Sequence, residues 1–241
     1  MGQTEIEDIP AKTLIGQKRI LSDLGVSFTD IFGATAILWV EGPTEVGVFG
    51  QLLEHIPYPK GIEILSMPNA SAVDRKKHIN AFFDLHDSVS QGTSLWPSIA
   101  RFSFDTENRT DARLQELSKR SGKRIDWLPA KMIECYFLNP SALAALLSHR
   151  DEKNNYQDTD INDWMKKNDY DLTLDKNKNL NAAKILKTLF SELTETRYQY
   201  NKIEDGYWLT EWFLRNRRDD LSELIDYVAS IMDTMNTEVE S

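Results

Sequence analysis

From Thr35 to Leu128, short continuous apolar runs alternate with longer stretches in which apolar residues recur every three or four positions. Thr35–Val40, Thr-Ala-Ile-Leu-Trp-Val, is apolar, β-branched and aromatic, the pattern of a strand covered on both faces. Glu41-Gly42-Pro43 breaks it, and Thr44 is the expected N-cap of a helix placing Val46, Phe49, Leu52, Leu53 and Ile56 on one face until Pro57 stops it. Ile62–Met67 and Ala70–Leu85 repeat the strand and the helix, the second helix with Val73, Ile79, Phe82 and Phe83 inward. Ile99–Phe104 predicts a third strand ending at Asp105, Asp111–Ser121 a helix, and Ile125–Leu128 a fourth strand closed by Pro129. Such alternation predicts an α/β architecture, a mostly parallel sheet flanked by helices on both faces.

After Pro140 the texture changes. Ser141–Leu147 reads as a short helix, and Arg150 to Asn181 is crowded with Asp, Asn and Lys around scattered anchors such as Trp164, Tyr170 and Leu174. That stretch reads as a solvated insertion with a helix near Asp160–Lys167. Apolar residues return at helical spacing in Ala182–Leu193, Gly206–Arg215 and Leu221–Met235, a helical C-terminal extension. The expected division is an N-terminal joint or partner-facing segment over 1–34, a catalytic core over 35–148, a polar insertion over 149–181 and a helical region over 182–241.

With 241 residues, 41% of them hydrophobic, the chain has enough apolar surface for a sizeable core. Its 28 Lys and Arg against 38 Asp and Glu leave a net charge of −10, so the chain as a whole has no broad electrostatic grip on a phosphate backbone. A nucleic-acid partner has to be held by metal ions, by a second subunit, or by the basic clusters Arg75-Lys76-Lys77, Lys119-Arg120 with Lys123-Arg124, and Arg215 with Arg217-Arg218. Each such cluster is more commonly a solvated face; the second ends the helix that leaves Asp105 and is best placed for phosphate contacts. The sequence lacks an 18-residue apolar stretch, its opening is acidic, and Cys135 is the single cysteine, which together point to a cytoplasmic protein without membrane attachment.

In an open parallel sheet, ligands bind at the carboxyl ends of the strands. Glu41 follows the first strand with Glu45 one helical turn on, and Asp105 follows the third with Glu107 two residues on and Asp111 beyond. Such a cluster repels itself unless cations neutralise it, and hard divalent ions such as Mg²⁺ or Mn²⁺ take oxygen ligands. Spacing alone favours the plainer reading, in which Glu41 and Glu45 serve the helix dipole and Asp105 and Glu107 are turn residues, since acids before helices are common. A P-loop, a His-Glu-x-x-His zinc pattern among His55, His78, His86 and His149, and a Gly-x-Ser-x-Gly elbow are all absent.

Ile37-Leu38-Trp39-Val40-Glu41-Gly42-Pro43-Thr44-Glu45 resembles the first motif of Toprim domains, in the form found in the OLD (overcoming lysogenization defect) nucleases. Phe102-Ser103-Phe104-Asp105-Thr106-Glu107 resembles the second, with Glu107 in place of the usual second Asp. Leu128-Pro129-Ala130-Lys131-Met132-Ile133-Glu134-Cys135-Tyr136-Phe137-Leu138 is similar to a third segment of the same group, with Cys135 where the family often has Asn. The resemblance implies a Rossmann-like Toprim nuclease using Mg²⁺ or Mn²⁺, two ions in all. Glu41 is then a ligand and general base, Asp105 the central ligand, and Glu45, Glu107 and Glu134 supporting ligands. It further implies a lysine beyond the sheet that stabilises phosphate charge; the Tyr200–Leu209 segment makes this Lys202, with Lys184 in reserve and an ordinary surface lysine as the alternative. Ile20–Val26 leading to Ile31–Ala34 resembles a joint to an ATPase domain, which implies an ATPase domain or subunit as partner; such ATPase and Toprim systems imply bacterial anti-phage defence, with DNA the expected substrate ahead of RNA and a homo-oligomer as a further option. A module that assembles or regulates an ATPase without cleaving is the alternative of another class.

Overall fold

The computed structural model describes residues 31, 33–58, 60–67, 83–84, 86–87, 90, 97, 99–106, 109–170 and 178–240. Four parallel strands form its sheet: β1 (Ala36–Val40), β2 (Ile62–Ser66), β3 (Ile99–Phe104) and β4 (Ile125–Trp127), in the order β2-β1-β3-β4. Helix α1 (Pro43–Leu53) joins β1 to β2 and α2 (Asp111–Arg120) joins β3 to β4. This is the Rossmann-like α/β sheet that the alternating pattern predicts.

Residues of β1 alternate between two cores. Ala36, Leu38 and Val40 join one with Val48, Phe49 and Leu52 of α1, while Ile37 and Trp39 join another with Phe83, Phe102, Phe104 and Leu117. All five residues of β1 are fully buried, so an uninterrupted apolar run is what a central strand covered on both faces requires. On β3 the alternation puts Ala100, Phe102 and Phe104 in the second core. Its intervening Arg101 pairs with Asp126 at 2.8 Å and Glu238 at 2.9 Å, and Ser103 meets the Tyr227 hydroxyl at 2.8 Å.

The C-terminal half supplies α3 (Pro140–Arg150), α4 (Asp158–Lys167), α5 (Ala182–Leu193), α6 (Lys202–Asn216) and α7 (Ser222–Glu240), with a 3₁₀ turn over Ile133–Phe137. Their apolar faces share the first core with α1, so these helices are continuous with the sheet's packing. Within the polar 149–181 stretch, α4 buries Ile161, Trp164 and Met165, and Trp164 Nε1 donates to Glu192 of α5 at 2.8 Å.

Two boundaries differ from the sequence reading. Helix α1 starts at Pro43 with extended Gly42 as N-cap, since Pro is suited to the first helical position, and Thr44 lies inside the helix. Helix α6 starts at Lys202, because the Asn201 side chain accepts the amides of Ile203 and Glu204 and so caps the helix four residues ahead of Gly206. The predicted helix over 70–85, the basic cluster 75–77, and residues 1–30, including most of the presumed joint, lie outside the described residues apart from helical Phe83 and Asp84.

Candidate active site

Strand order places β1 beside β3, while their chain continuations run outward in opposite directions to β2 and β4. The β1–β3 boundary is therefore the topological switch point, where a crevice opens at the carboxyl ends of the strands. Val40 pairs in register with Ser103, so Glu41 and Asp105 emerge side by side. The Asp105 amide donates to Glu41 Oε2 at 3.1 Å. Asp105 is 9% exposed, and its hydroxyl-bearing neighbour Thr106 donates to the Ala130 carbonyl at 3.3 Å, which ties the turn after β3 to the segment after β4.

Gly42 lets Glu45 fold back toward this point: a Cβ at position 42 would lie 3.3 Å from Glu45 Oε2. The Glu45 carboxyl is pushed up to about 7, first by burial and then by the charges of Glu134 and Glu41, against the opposing pull of its own amide and Lys202. Glu134, on the 3₁₀ turn, is 1% exposed and pairs with Lys202 Nζ at 2.6 Å. Burial acts to lower the Lys202 ammonium, but Glu134, Glu45 and Asp105 outweigh it and hold it above the usual lysine range.

The position of Lys202 is fixed by its helix. Asp205 accepts from the Asn201 amide at 2.7 Å and, through its other oxygen, from Arg150 Nε at 2.8 Å, anchoring the first turn of α6 to α3. A Cβ on Gly206 would lie 3.2 Å from Thr44 Cγ2, so this glycine sets the close approach of α6 to α1. The structure thus gathers Glu41, Glu45, Asp105, Glu134 and Lys202. Lys184 is exposed on α5, and its backbone N–H is capped by Asn181. Glu107 lies outside the described residues. Cys135 is buried, its thiol reaches toward the Lys178 and Leu180 carbonyls, and burial raises it to about 11, so it is a packed thiol.

Arg109 is the residue that the sequence pattern does not reveal. Its guanidinium donates to Glu41 Oε1 at 2.6 Å and to the Asp105 carbonyl, and it lies 6.0 Å from the Phe104 ring centroid and 5.8 Å from that of Trp127. Its only sequence signal is a cation four residues after Asp105 in a polar turn. Among the described residues no three carboxylates converge as a ready-made metal cage. Yet four carboxylates face two cations, and Glu45 is raised first by its burial and then by the charges of Glu134 and Glu41. The donor set is all oxygen and suits a hard divalent cation.

No protein-family model matches the sequence, and no curated protein matches it. Among the described residues no helix is long and apolar enough to cross a membrane. Among solved structures, the chain is similar in fold to the C-terminal region of the OLD protein of Xanthomonas campestris pv. campestris, with a TM-score of 0.50 and 14% identity over 87% of this chain and 97% of that one.

Proposed function

We propose that this chain is an OLD-like Toprim nuclease that cleaves or nicks DNA with Mg²⁺ or Mn²⁺, working with an ATPase domain or subunit in anti-phage defence. The observation that carries the reading is the gathering of Glu41, Glu45, Asp105 and Glu134 beside Lys202 at the switch point of a sheet whose fold resembles an OLD C-terminal region.

Glu41, Glu45 and Asp105 would hold the ion, with Glu134 and Glu107 as supporting ligands. A bound divalent ion supplies neutralisation of the phosphodiester's charge and a water that loses its proton near neutral pH. Lys202 stays protonated beside Glu134 and is 48% exposed, so its ammonium can both be held and face a phosphate oxygen. The ATPase partner is proposed because a chain at −10 brings few cations to a polyanion.

The test is nicking of supercoiled plasmid with Mn²⁺, Mg²⁺ or EDTA. Glu41→Gln and Asp105→Asn each abolish metal-dependent nicking with the fold retained; wild-type rates in either variant overturn the assignment. One observation favours a second reading, a catalytically weak module for an ATPase partner: Arg109 already pairs with Glu41, and Lys202 with Glu134. Under that reading Mn²⁺ titration gives no binding, and tRNA and plasmid both survive with every metal.

A further inference from the structure

Helix α2 and strand β4 enclose an open hollow of about 590 Å³ at the β4 end of the sheet, lined by Leu114, Gln115, Ser118, Lys119, Lys123 and Trp127. This size falls within the range of small-molecule sites, ~300–1,000 Å³. Gly122 at φ +66° and Lys123 at φ +65° turn the chain out of α2 so that Lys123 comes back beside Lys119 on the same hollow.

The basic residues around it divide sharply. Arg120 pairs with Asp84 at 3.0 Å, Arg124 with Asp87 at 2.8 Å, and Arg113 with Glu116 at 2.7 Å. The cluster at the end of α6 is engaged as well, Arg215 with Glu211, Arg217 with Asp220 at 2.9 Å, and Arg218 with the His55 carbonyl at 3.2 Å. Lys119 and Lys123 are exposed and form no ion pair among the described residues.

Trp127, the last residue of β4, faces the same hollow half-buried, its Nε1 donating to Ser118 Oγ at 2.9 Å. The indole is thereby held in one orientation, its polar atom satisfied and its apolar surface turned to use alongside Leu114. Trp127 also carries the Arg109 guanidinium 5.8 Å from its ring centroid, and Arg109 reaches Glu41 at 2.6 Å. One aromatic ring and one guanidinium separate the hollow from the candidate active site.

We propose that this hollow seats an unpaired nucleotide of a nucleic-acid strand, its base against Trp127 and Leu114 and its flanking phosphates against Lys119 and Lys123. An aromatic platform with adjacent cations is how single strands are held without sequence preference, whereas a paired base presents no free face to stack. The ligand class rests on the nuclease reading; the hollow deepens it by naming strands with unpaired nucleotides as the substrate that this surface positions.

The test uses the full chain in EDTA at low salt with a fluorescent oligothymidine of about 15 nucleotides, read by anisotropy. Lys119→Gln with Lys123→Gln weakens binding at least about tenfold and lowers the slope of log affinity against log salt by about 1.4, the share of two single-strand phosphate contacts. Trp127→Leu weakens it about tenfold while Trp127→Phe stays close to wild type, as stacking on a ring requires. A duplex of equal length loses affinity with the lysines but not with Trp127→Leu. Unchanged oligothymidine binding in the double-lysine protein, whose exposed positions do not bear on folding, overturns the proposal. So does competition by free thymidine monophosphate at the same concentration as the oligomer, which makes the hollow a free-nucleotide site. Mn²⁺ binding measured on the same proteins separates the two readings. Wild-type protein that binds Mn²⁺ but no oligothymidine overturns this proposal and leaves the metal reading standing; lysine-dependent strand binding without Mn²⁺ binding does the reverse.

Discussion

Lys202 Nζ lies 2.6 Å from Glu134 Oε1, and the two partners share this contact unequally: the lysine side chain is 48% exposed and the glutamate 1%. Removing the lysine strands a carboxylate that water cannot reach, whereas neutralising the glutamate leaves a lysine that water solvates. Lys202→Met is therefore expected to cost about 2–3 kcal/mol of stability and Glu134→Gln about 1 kcal/mol or less. Urea unfolding of metal-free protein checks the order; a larger loss in Glu134→Gln refutes the account.

Glu45 makes stability depend on pH in a defined direction. Its folded-state carboxyl titrates near 7 against an ordinary 4.5, so between those values the folded protein holds a proton that the unfolded chain has released. This contribution is present in full below about pH 4.5 and is lost as pH rises to about 7, a span of roughly 1–3 kcal/mol. Buried His86 works the other way, its imidazole lowered to about 4 from 6.5 by burial and by Arg124, so the raw curve mixes the two. The readout is the difference between wild type and Glu45→Gln in thermal midpoint across pH 4.5 to 8 in EDTA. Glu45→Gln gains on wild type as pH rises; a difference that is flat with pH refutes the shift.

What was legible in the sequence follows from how each element is buried. β3 occupies Ile99–Phe104 as read, and β1 starts one residue inside its predicted span, because strands covered on both faces leave unbroken apolar runs. Glu41 and Asp105 are legible for the same reason, as the first acids after those runs. The start of α6 is not, since its first turn is polar and its signal is an Asn201 cap with Gly206 mistaken for the boundary. Glu134 sits on a 3₁₀ turn whose five residues are all buried, so no alternation marks it. Arg109 reaches across from a turn to a strand end, a long-range pairing that no local period records.

Gly206 has a specific cost to replace. A helix-interior Gly→Ala change ordinarily stabilises by up to about 1 kcal/mol. Here the new Cβ meets Thr44 Cγ2 at 3.2 Å, so either the Thr44 methyl or α6, which carries Lys202, has to give by a few tenths of an ångström. In a Thr44→Ala background, which removes that methyl group, Gly206→Ala is expected to stabilise, and in wild type to be neutral or destabilising. A double-mutant cycle by urea unfolding gives a coupling of about 0.5–1.5 kcal/mol. Equal effects in both backgrounds show that the contact does not set the helix position.

Arg109 holds Glu41 Oε1 at 2.6 Å, with both side chains largely shielded, 13% and 20% exposed. A divalent ion taking that oxygen competes with the guanidinium for the same lone pairs, while Asp105 and Glu45 nearby favour whichever cation carries more charge. Arg109→Gln removes the competing charge and leaves a shorter side chain that can still donate hydrogen bonds. The expected outcome has two parts with opposite signs: metal-free stability falls by about 1–2 kcal/mol, as for a partly buried charge pair, and Mn²⁺ binds roughly tenfold more tightly. Calorimetric titration with Mn²⁺ and urea unfolding in EDTA give both quantities from one preparation. Tighter Mn²⁺ binding marks Arg109 as the cation that occupies the ligand position in the metal-free protein. Weaker binding shows instead that it orients Glu41 for the ion, and the competition argued here is then wrong.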